Sequence, residues 1–98
     1  MLLTWDTKKS RRNLAKHSIS FEAAGLVFDD PRALSRIDRV VGDEVRWQTL
    51  GLIGGIVVVL VAHTVEEIGG EEVIRIISAR KATRSERRAY ESQNQKAD

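Results

Sequence analysis

The chain has 98 residues, no cysteine and a formal net charge of +2 at neutral pH. This length predicts a single domain, which we assign to residues 1–92, followed by a polar tail over residues 93–98. The lack of cysteine excludes disulfides and thiolate metal sites, and it is typical of a cytoplasmic protein. The longest apolar run, Ile53 to Ala62, is too short to span a bilayer as a helix.

At the N-terminus, the sequence predicts a short strand and two helices. Residues 2–5 (LLTW) are typical of a strand, and Asp6 can accept hydrogen bonds from the free amides of a helix over residues 7–17. A second helix is predicted to begin after Ser20. Its apolar residues recur at the spacing of one helix face, and they are Phe21, Ala24, Gly25 and Phe28. Pro31 disfavours helix at Asp30 and ends this segment.

The rest of the chain predicts a sheet and a last helix. Residues 33–41 form an irregular strand, and residues 44–53 alternate, with Val45, Trp47 and Thr49 on one face. After a turn at Gly54 and Gly55, residues 56–65 are apolar on both faces and predict a central strand. An exposed turn is predicted over residues 66–72 and a strand over residues 73–78. A capping box from Thr83 to Glu86 then begins a helix that extends to about Tyr90. The fold class is therefore α+β, with helices packed on a small antiparallel sheet.

Basic residues are concentrated at the two ends of the chain. The segment 8–17 contains five of them beside His17, and the segment 75–88 contains six, whereas residues 48–74 contain none. Four glutamates lie in that middle segment: Glu66, Glu67, Glu71 and Glu72. A polarised charge distribution of this kind can steer a polyanion towards one side of a protein.

Each candidate residue has a structural and a functional interpretation. His17 is at the expected end of the first helix, where a cation stabilises the dipole, but an imidazole is also suited to proton transfer at neutral pH. Arg46 is either an exposed strand residue or a planar fork for phosphate. Arg75 and Arg80 have opposite parity on a strand, so they could share a site only if that strand ended near Ser78. His63 is expected to be structural, and neither histidine belongs to a metal-ligand pattern.

Three segments of the chain resemble the BrnT family of type II toxins. Residues 5–31 contain a Trp-Asp pair, Lys9, Asn13, Lys-His and Phe-Glu in the family order; Arg46–Trp47 followed by Gly51 matches its middle; residues 75–90 match its C-terminal segment. The resemblance implies a RelE-like fold with two N-terminal helices and one C-terminal helix. It also implies an RNA-cleaving toxin that inhibits translation, bound by a BrnA-type DNA-binding antitoxin, with a toxin dimer in the complex.

From this resemblance we expect a metal-independent endoribonuclease without a cofactor. The expected catalytic residues are Lys16, His17, Arg46, Arg75 and Arg80, with Lys16 or His17 in proton transfer and the arginines stabilising charge. Lys9, Lys81, Arg84 and Arg87 are expected to bind the RNA backbone. We further expect the basic first helix to form one wall of the phosphate site and the C-terminal basic cluster to form the other.

The segment after His63 departs from the family pattern. Relatives often have an arginine after the His-Thr pair, and this chain has the acidic sequence VEEIGGEE there. If that arginine holds the scissile phosphate in relatives, activity is weakened here or depends on Arg46 and Arg75. The alternative function is therefore a non-catalytic module that binds an antitoxin or a nucleic acid.

Overall fold

The computed structural model describes residues 1–96, which form five strands and three helices. In chain order these are β1 (Leu2–Thr4), α1 (Thr7–His17), α2 (Phe21–Ala24), a 3-10 turn (Gly25–Asp29), β2 (Leu34–Val41), β3 (Glu44–Ile53), β4 (Val57–Ile68), β5 (Glu71–Lys81) and α3 (Arg84–Lys96). None of the helices within this part of the chain is long and apolar enough to cross a membrane.

The five strands form one mixed sheet in the order β1-β5-β4-β3-β2. Strands β2 to β5 are antiparallel, as predicted, and β4 is the central strand. Strand β1 pairs with β5 in parallel, so the prediction of an antiparallel sheet was wrong at this edge. No hairpin connects β1 to β5, and the direction of their pairing is therefore not constrained by a short loop.

The caps of the two N-terminal helices form as predicted. The Asp6 carboxylate accepts hydrogen bonds from the amides of Lys8 and Lys9 at 2.8 and 3.2 Å, and the Ser20 hydroxyl accepts one from the amide of Ala23 at 3.0 Å. The second helix is shorter than predicted, because the α-helix ends at Ala24 and the chain tightens into the 3-10 turn. This turn presses the backbone of Val27 against β3.

Each face of the sheet has its own apolar core. On the α2 face, α2 and the 3-10 turn pack on Val59, Val61 and Ile76. On the α3 face, Tyr90 of α3 packs on Leu50 and Leu60. Both cores cover only part of the sheet, and the remainder of each face is open.

The C-terminal half contains longer elements than the sequence predicted. Strand β4 continues to Ile68 and β5 begins at Glu71, so the turn between them is reduced to Gly69 and Gly70, which both have positive φ angles. The predicted capping box starts α3, but the helix continues past Tyr90 to Lys96. Residues 97 and 98 of the predicted tail lie outside the described part of the chain.

Candidate active site

A β-bulge in β5 places Arg75 and Arg80 on the same face of the sheet. Ala62 pairs with Ser78 but the next residue of β4, His63, pairs with Ile76, so Ile77 is an extra residue in β5. One extra residue reverses the side-chain alternation beyond it. Arg75 and Arg80 therefore lie on one face although the strand does not end near Ser78. Strand β5 continues to Lys81.

The residues of the α3 face form three cross-strand rows. The first row is partly covered by α3 and contains Leu34, Leu50, Leu60 and Arg80. The second contains Arg36, Gln48, Ala62 and Ser78, and the third contains Arg39, Arg46, Thr64 and Arg75. We call the open area formed by the second and third rows together with Arg80 the arginine groove. Its floor is polar or small, and arginines from three strands lie around it.

Glu44 connects two of the predicted catalytic arginines. Its Oε1 accepts a hydrogen bond from Arg46 Nε at 2.8 Å, and both of its oxygens accept from Arg75 Nη2 at 2.9 Å. The two arginines lie on β3 and β5, with β4 between them, so the carboxylate bridges roughly 10 Å of sheet. The pKa of Glu44 lies below its ordinary value, mainly because Arg75 donates hydrogen bonds to it. Desolvation opposes this effect, and the charge of Arg75 and the hydrogen bond from Arg46 lower the pKa further.

Glu44 is a site residue that was not predicted from the sequence. Its signal is its position two residues before Arg46 on an alternating strand, which places both side chains on the same face. The link to Arg75 could not be predicted, because it depends on the register across three strands.

Arg80 forms a two-pronged ion pair with Glu86 of α3. Arg80 Nη1 donates to Oε1 at 2.7 Å and Nη2 donates to Oε2 at 3.0 Å, while the amide of Thr83 donates to Oε1 at 2.8 Å. The hydrogen bonds from Arg80 are the largest of the effects that lower the pKa of Glu86 to about 2. Arg80 and Lys81 are the last two residues of β5 and lie just before the cap residue Thr83 of α3.

Helix α1 lies along the edge of β5, next to Arg80. Asn13 holds it there: its side-chain amide donates to the carbonyls of Ile19 and Ala79, both at 2.8 Å, and its carbonyl oxygen accepts from the amide of Ala79 at 3.2 Å. Of the predicted site residues on this helix, Lys9 and Lys16 are exposed and His17 is half-buried.

The structure thus brings together only some of the predicted site residues. Arg46 and Arg75 share a carboxylate, and Arg80 lies on the same face. Lys9, Lys16 and His17 lie on α1 and, within the described residues, take no part in the ion pairs of these arginines with Glu44 and Glu86.

The predicted RNA-binding residues of the C-terminal segment lie outside the groove. Lys81 pairs with Val59, which places it on the α2 face. Arg84 and Arg87 are exposed on α3 and line a cavity of about 480 Å³ between that helix and the β3–β4 turn. These three cations surround the end of the sheet opposite to Arg46 and Arg75.

His63 is buried and has hydrogen-bond partners at both ring nitrogens. Nε2 lies 2.7 Å from the Thr49 hydroxyl, and Nδ1 lies 3.2 Å from the carbonyl oxygen of Thr64. The carbonyl can only accept, so Nδ1 is the protonated nitrogen and the Thr49 hydroxyl donates to Nε2. Burial lowers the pKa of His63 and favours this neutral form. These contacts agree with the structural interpretation of His63.

The comparisons with known proteins identify the family. Residues 5–86 match the family model described as the ribonuclease toxin BrnT of type II toxin-antitoxin systems. The chain belongs to the BrnT ribonuclease toxin family. A similar solved structure is the Brucella abortus ribonuclease toxin BrnT, with 22% sequence identity and a TM-score of 0.58 over 86% of this chain and 100% of that chain. No curated protein matches the chain.

Membership of the BrnT family makes this chain a ribonuclease toxin of a type II toxin-antitoxin system, with RNA as substrate and a cognate antitoxin as partner. The similarity to the Brucella toxin supports the fold: a five-strand mixed sheet with one N-terminal, one short and one C-terminal helix.

One residue of the acidic departure from the family pattern, Glu66, lies at the outer end of the arginine groove. Glu66 is two residues beyond Thr64 on β4 and therefore on the same face. Glu44, Thr64 and Glu66 line a shared cavity of about 430 Å³. Two carboxylates thus lie close to Arg46 and Arg75, where they reduce the positive potential that phosphate would experience.

Proposed function

We propose that this toxin is a metal-independent endoribonuclease whose charge-stabilising site is the arginine groove. The observation that carries this proposal is the pair Arg46 and Arg75, whose guanidinium groups converge on the carboxylate of Glu44. Arginine forks bind carboxylate and phosphate with similar geometry, so a phosphate can replace the carboxylate. Within residues 1–96 the structure contains no group of three or more histidine, aspartate or glutamate side chains placed to hold a metal ion.

The proposed reaction begins with attack of a ribose 2′-OH on the adjacent phosphorus. The 2′-OH loses its proton as its oxygen bonds to phosphorus, a 2′,3′-cyclic phosphate forms, the bond to the 5′-oxygen of the next nucleotide breaks, and that oxygen takes up a proton. Arg46 and Arg75 stabilise the charge that develops on the phosphate oxygens, and Arg80 supplies a third positive charge on the same face. Lys16 or His17, on the helix beside β5, transfers the proton.

The RNA backbone extends from the groove to cations on α1 and at the opposite end of the sheet. Lys9 lies on α1, and Lys81, Arg84 and Arg87 lie at the junction of β5 and α3. They are exposed, as contacts to phosphate require. The cognate antitoxin is of the DNA-binding BrnA type, and the complex contains a toxin dimer in the cytoplasm. The family resemblance further implies that the fold is related to that of RelE-like toxins.

Single-turnover cleavage of RNA in excess chelator tests the proposal. The wild-type protein should cleave and leave 2′,3′-cyclic phosphate or 3′-phosphate ends. Arg46→Gln and Arg75→Gln should each lower the cleavage rate at saturating enzyme by on the order of a hundredfold, since each removes one preorganised donor. Arg11→Gln removes the same charge from the exposed side of α1 and serves as the matched control, with a rate within about twofold of wild type.

Two results would contradict this mechanism. Loss of cleavage in chelator, with recovery on addition of magnesium, would show that the reaction requires a metal. A folded protein that binds RNA without cleaving it, and that permits normal growth when expressed alone, would favour the alternative of a non-catalytic binding module. The carboxylates of Glu44 and Glu66, which line one cavity, favour this alternative because they would repel the phosphates of RNA.

A further inference from the structure

Part of the α2 face is apolar and is not covered by any helix in the described part of the chain. Cross-strand pairs place Ile37 beside Trp47 and Val40 beside Val45, and Val65 pairs with Ile74 on the same face. Ile37 and Val40 are each more than half exposed. Alternating strands normally direct such residues towards a core, so this area, which we call the open α2 face, has the composition of an interface.

The open α2 face contains a cavity of about 470 Å³. Trp47, Phe28 and Val65 supply apolar walls, and the neutral, hydrogen-bonded His63 lies at its base. Because His63 and Thr49 bind each other, the cavity floor has no polar group that requires a charged ligand. An apolar side chain of moderate size would fit there.

Two carboxylates at the rim of this face lack a cationic partner. Glu67 and Glu72 lie directly opposite each other on β4 and β5, and Glu72 also lines the cavity. The amino group of Met1 binds Glu71, the neighbour of Glu72, at 3.1 Å. Within the described residues, no ion pair involves Glu67 or Glu72. Like charges in directly opposite positions destabilise a strand pair, so a cation from outside would relieve a repulsion that the fold leaves uncompensated.

We propose that the open α2 face is the docking surface for the cognate antitoxin. A segment of the antitoxin inserts an apolar side chain into the cavity over Trp47 and sets a lysine or arginine against Glu67 and Glu72. The proposal takes the existence of an antitoxin from the family membership and does not depend on which residues cleave RNA.

The charges on this face favour a protein partner over RNA. Phosphates would be repelled by Glu67 and Glu72, whereas the arginines that suit RNA lie on the other face of the sheet. A second copy of the chain, placed face to face by two-fold symmetry, would bring two more carboxylates to the same area. An antitoxin segment with an apolar side chain for the cavity and a basic side chain for Glu67 and Glu72 matches both features of this surface.

The test measures the affinity of the full-length toxin for the antitoxin encoded in the same operon. Glu72→Lys should weaken binding at least tenfold, because the introduced lysine takes the place of the antitoxin cation. The same substitution should raise the melting temperature slightly, since lysine then faces Glu67. Glu66→Lys, on β4, makes the same charge change on the opposite face of the sheet and should leave the affinity within twofold.

A second pair of variants tests the apolar contact. Val65→Asp should weaken antitoxin binding at least tenfold, whereas Ile68→Asp, on the other face of β4, should not. RNA cleavage by the free toxin should be unchanged in Glu72→Lys and Val65→Asp. If the proposed cleavage chemistry is wrong, the wild-type protein without antitoxin will show it, whatever the antitoxin affinities are.

Several outcomes would overturn the docking proposal. Unchanged antitoxin affinity in Glu72→Lys and Val65→Asp would exclude the open α2 face. Weakened affinity in Glu66→Lys alone would locate the antitoxin on the α3 face. A free wild-type toxin that sediments as a dimer and becomes monomeric in Val65→Asp would show that a second copy, rather than the antitoxin, covers this surface.

Discussion

Asn13 joins three separate segments through a single buried side chain. Its amide binds the carbonyl of Ile19, which follows α1, and both backbone groups of Ala79 in β5. Ala79 lies beyond the end of the β1 pairing, so its amide and carbonyl would otherwise have no strand partner on that side. The side chain therefore replaces a missing strand and fixes the position of the helix that carries Lys16 and His17.

Asn13→Ala should destabilise the protein markedly. Buried backbone groups left without partners cost about 1–3 kcal/mol each, and partial access of water reduces the sum, so we expect a loss on the order of 3 kcal/mol. Urea unfolding should show a lower midpoint with an unchanged m-value. Leu14→Ala, at an exposed neighbouring position, is the control and should change the free energy of unfolding by less than about 0.5 kcal/mol. Equal effects of the two substitutions would refute this role of Asn13.

The Arg80–Glu86 pair makes stability depend on pH. The pKa of Glu86 is lowered to about 2 in the folded protein, chiefly by hydrogen bonds from Arg80. A lowered folded-state pKa contributes stability that is present above the unfolded-state value and is lost as the pH falls through the folded-state value. The contribution should therefore disappear as the pH falls from about 4.5, the ordinary pKa of a glutamate, to about 2, the lowered pKa of Glu86.

Glu86→Gln keeps a capping side chain but removes the charge. At pH 7 the variant should be less stable by about 1 kcal/mol, a value reduced for the exposure of Arg80. The difference from wild type should shrink as the pH falls from about 5 to 2, which denaturant unfolding at a series of pH values will measure. Glu91→Gln on the same helix makes the same chemical change at an exposed residue that forms no ion pair within the described part of the chain, and it should change the free energy of unfolding at pH 7 by less than about 0.5 kcal/mol. A constant difference for Glu86→Gln would exclude the ion pair as its cause.

At the scale of elements, the 3-10 turn and β3 are in close contact through Gly51. A Cβ atom at this position would lie 2.6 Å from Val27 Cγ1 and 3.0 Å from the carbonyl oxygen of Val27. The backbone of a buried turn cannot easily move away, so the glycine allows the turn to pack on the strand. Because Val27 is fully buried in the α2-face core, this contact is part of the core.

Gly51→Ala should cost about 1–3 kcal/mol, the range for overpacking a core. Gly25→Ala is the matched control: its Cβ would meet the Leu3 Cδ1 atom at 2.7 Å, but that atom is the end of a flexible side chain. Thermal unfolding of the two variants should give a clearly lower melting temperature for Gly51→Ala only. The packing argument fails if the control is destabilised equally.

At the scale of the whole molecule, the sheet separates two kinds of surface. The α3 face carries the arginine groove, and the open half of the α2 face carries exposed valines, Trp47 and the Glu67–Glu72 pair. The cations Lys81, Arg84 and Arg87 lie at the other end of the sheet from Arg46 and Arg75. Substitutions at these distant cations should therefore change RNA binding without changing the rate of chemistry in the groove.

Arg84→Gln and Arg87→Gln should weaken RNA binding without changing the cleavage rate at saturating enzyme. Each lost phosphate contact should flatten the log–log dependence of affinity on salt by about 0.7 for a single strand. Binding titrations at several salt concentrations, with single-turnover cleavage in parallel, will measure both quantities. If Arg84→Gln lowers the saturated rate as strongly as Arg46→Gln does, the two regions act as one site.

Much of the local structure follows from the sequence alone. The alternation over residues 44–53 gave the bounds of β3 and the face of each of its residues, and the capping residues Asp6, Ser20 and Thr83 marked the helix starts. These features were predictable because a strand repeats every two residues and a cap binds amides two or three residues away. The motif residues of the family resemblance likewise led to the family that the comparison identified.

The tertiary structure decided how the site is assembled. The bulge at Ile77 puts Arg75 and Arg80 on one face, Glu44 bridges Arg46 and Arg75 across β4, and Asn13 places α1 at the edge of β5. Each of these arrangements depends on the register between strands, or on a partner distant in the sequence. Periodicity within a single segment cannot specify them, because the same alternation is compatible with several registers, and a shift of one residue exchanges the two faces.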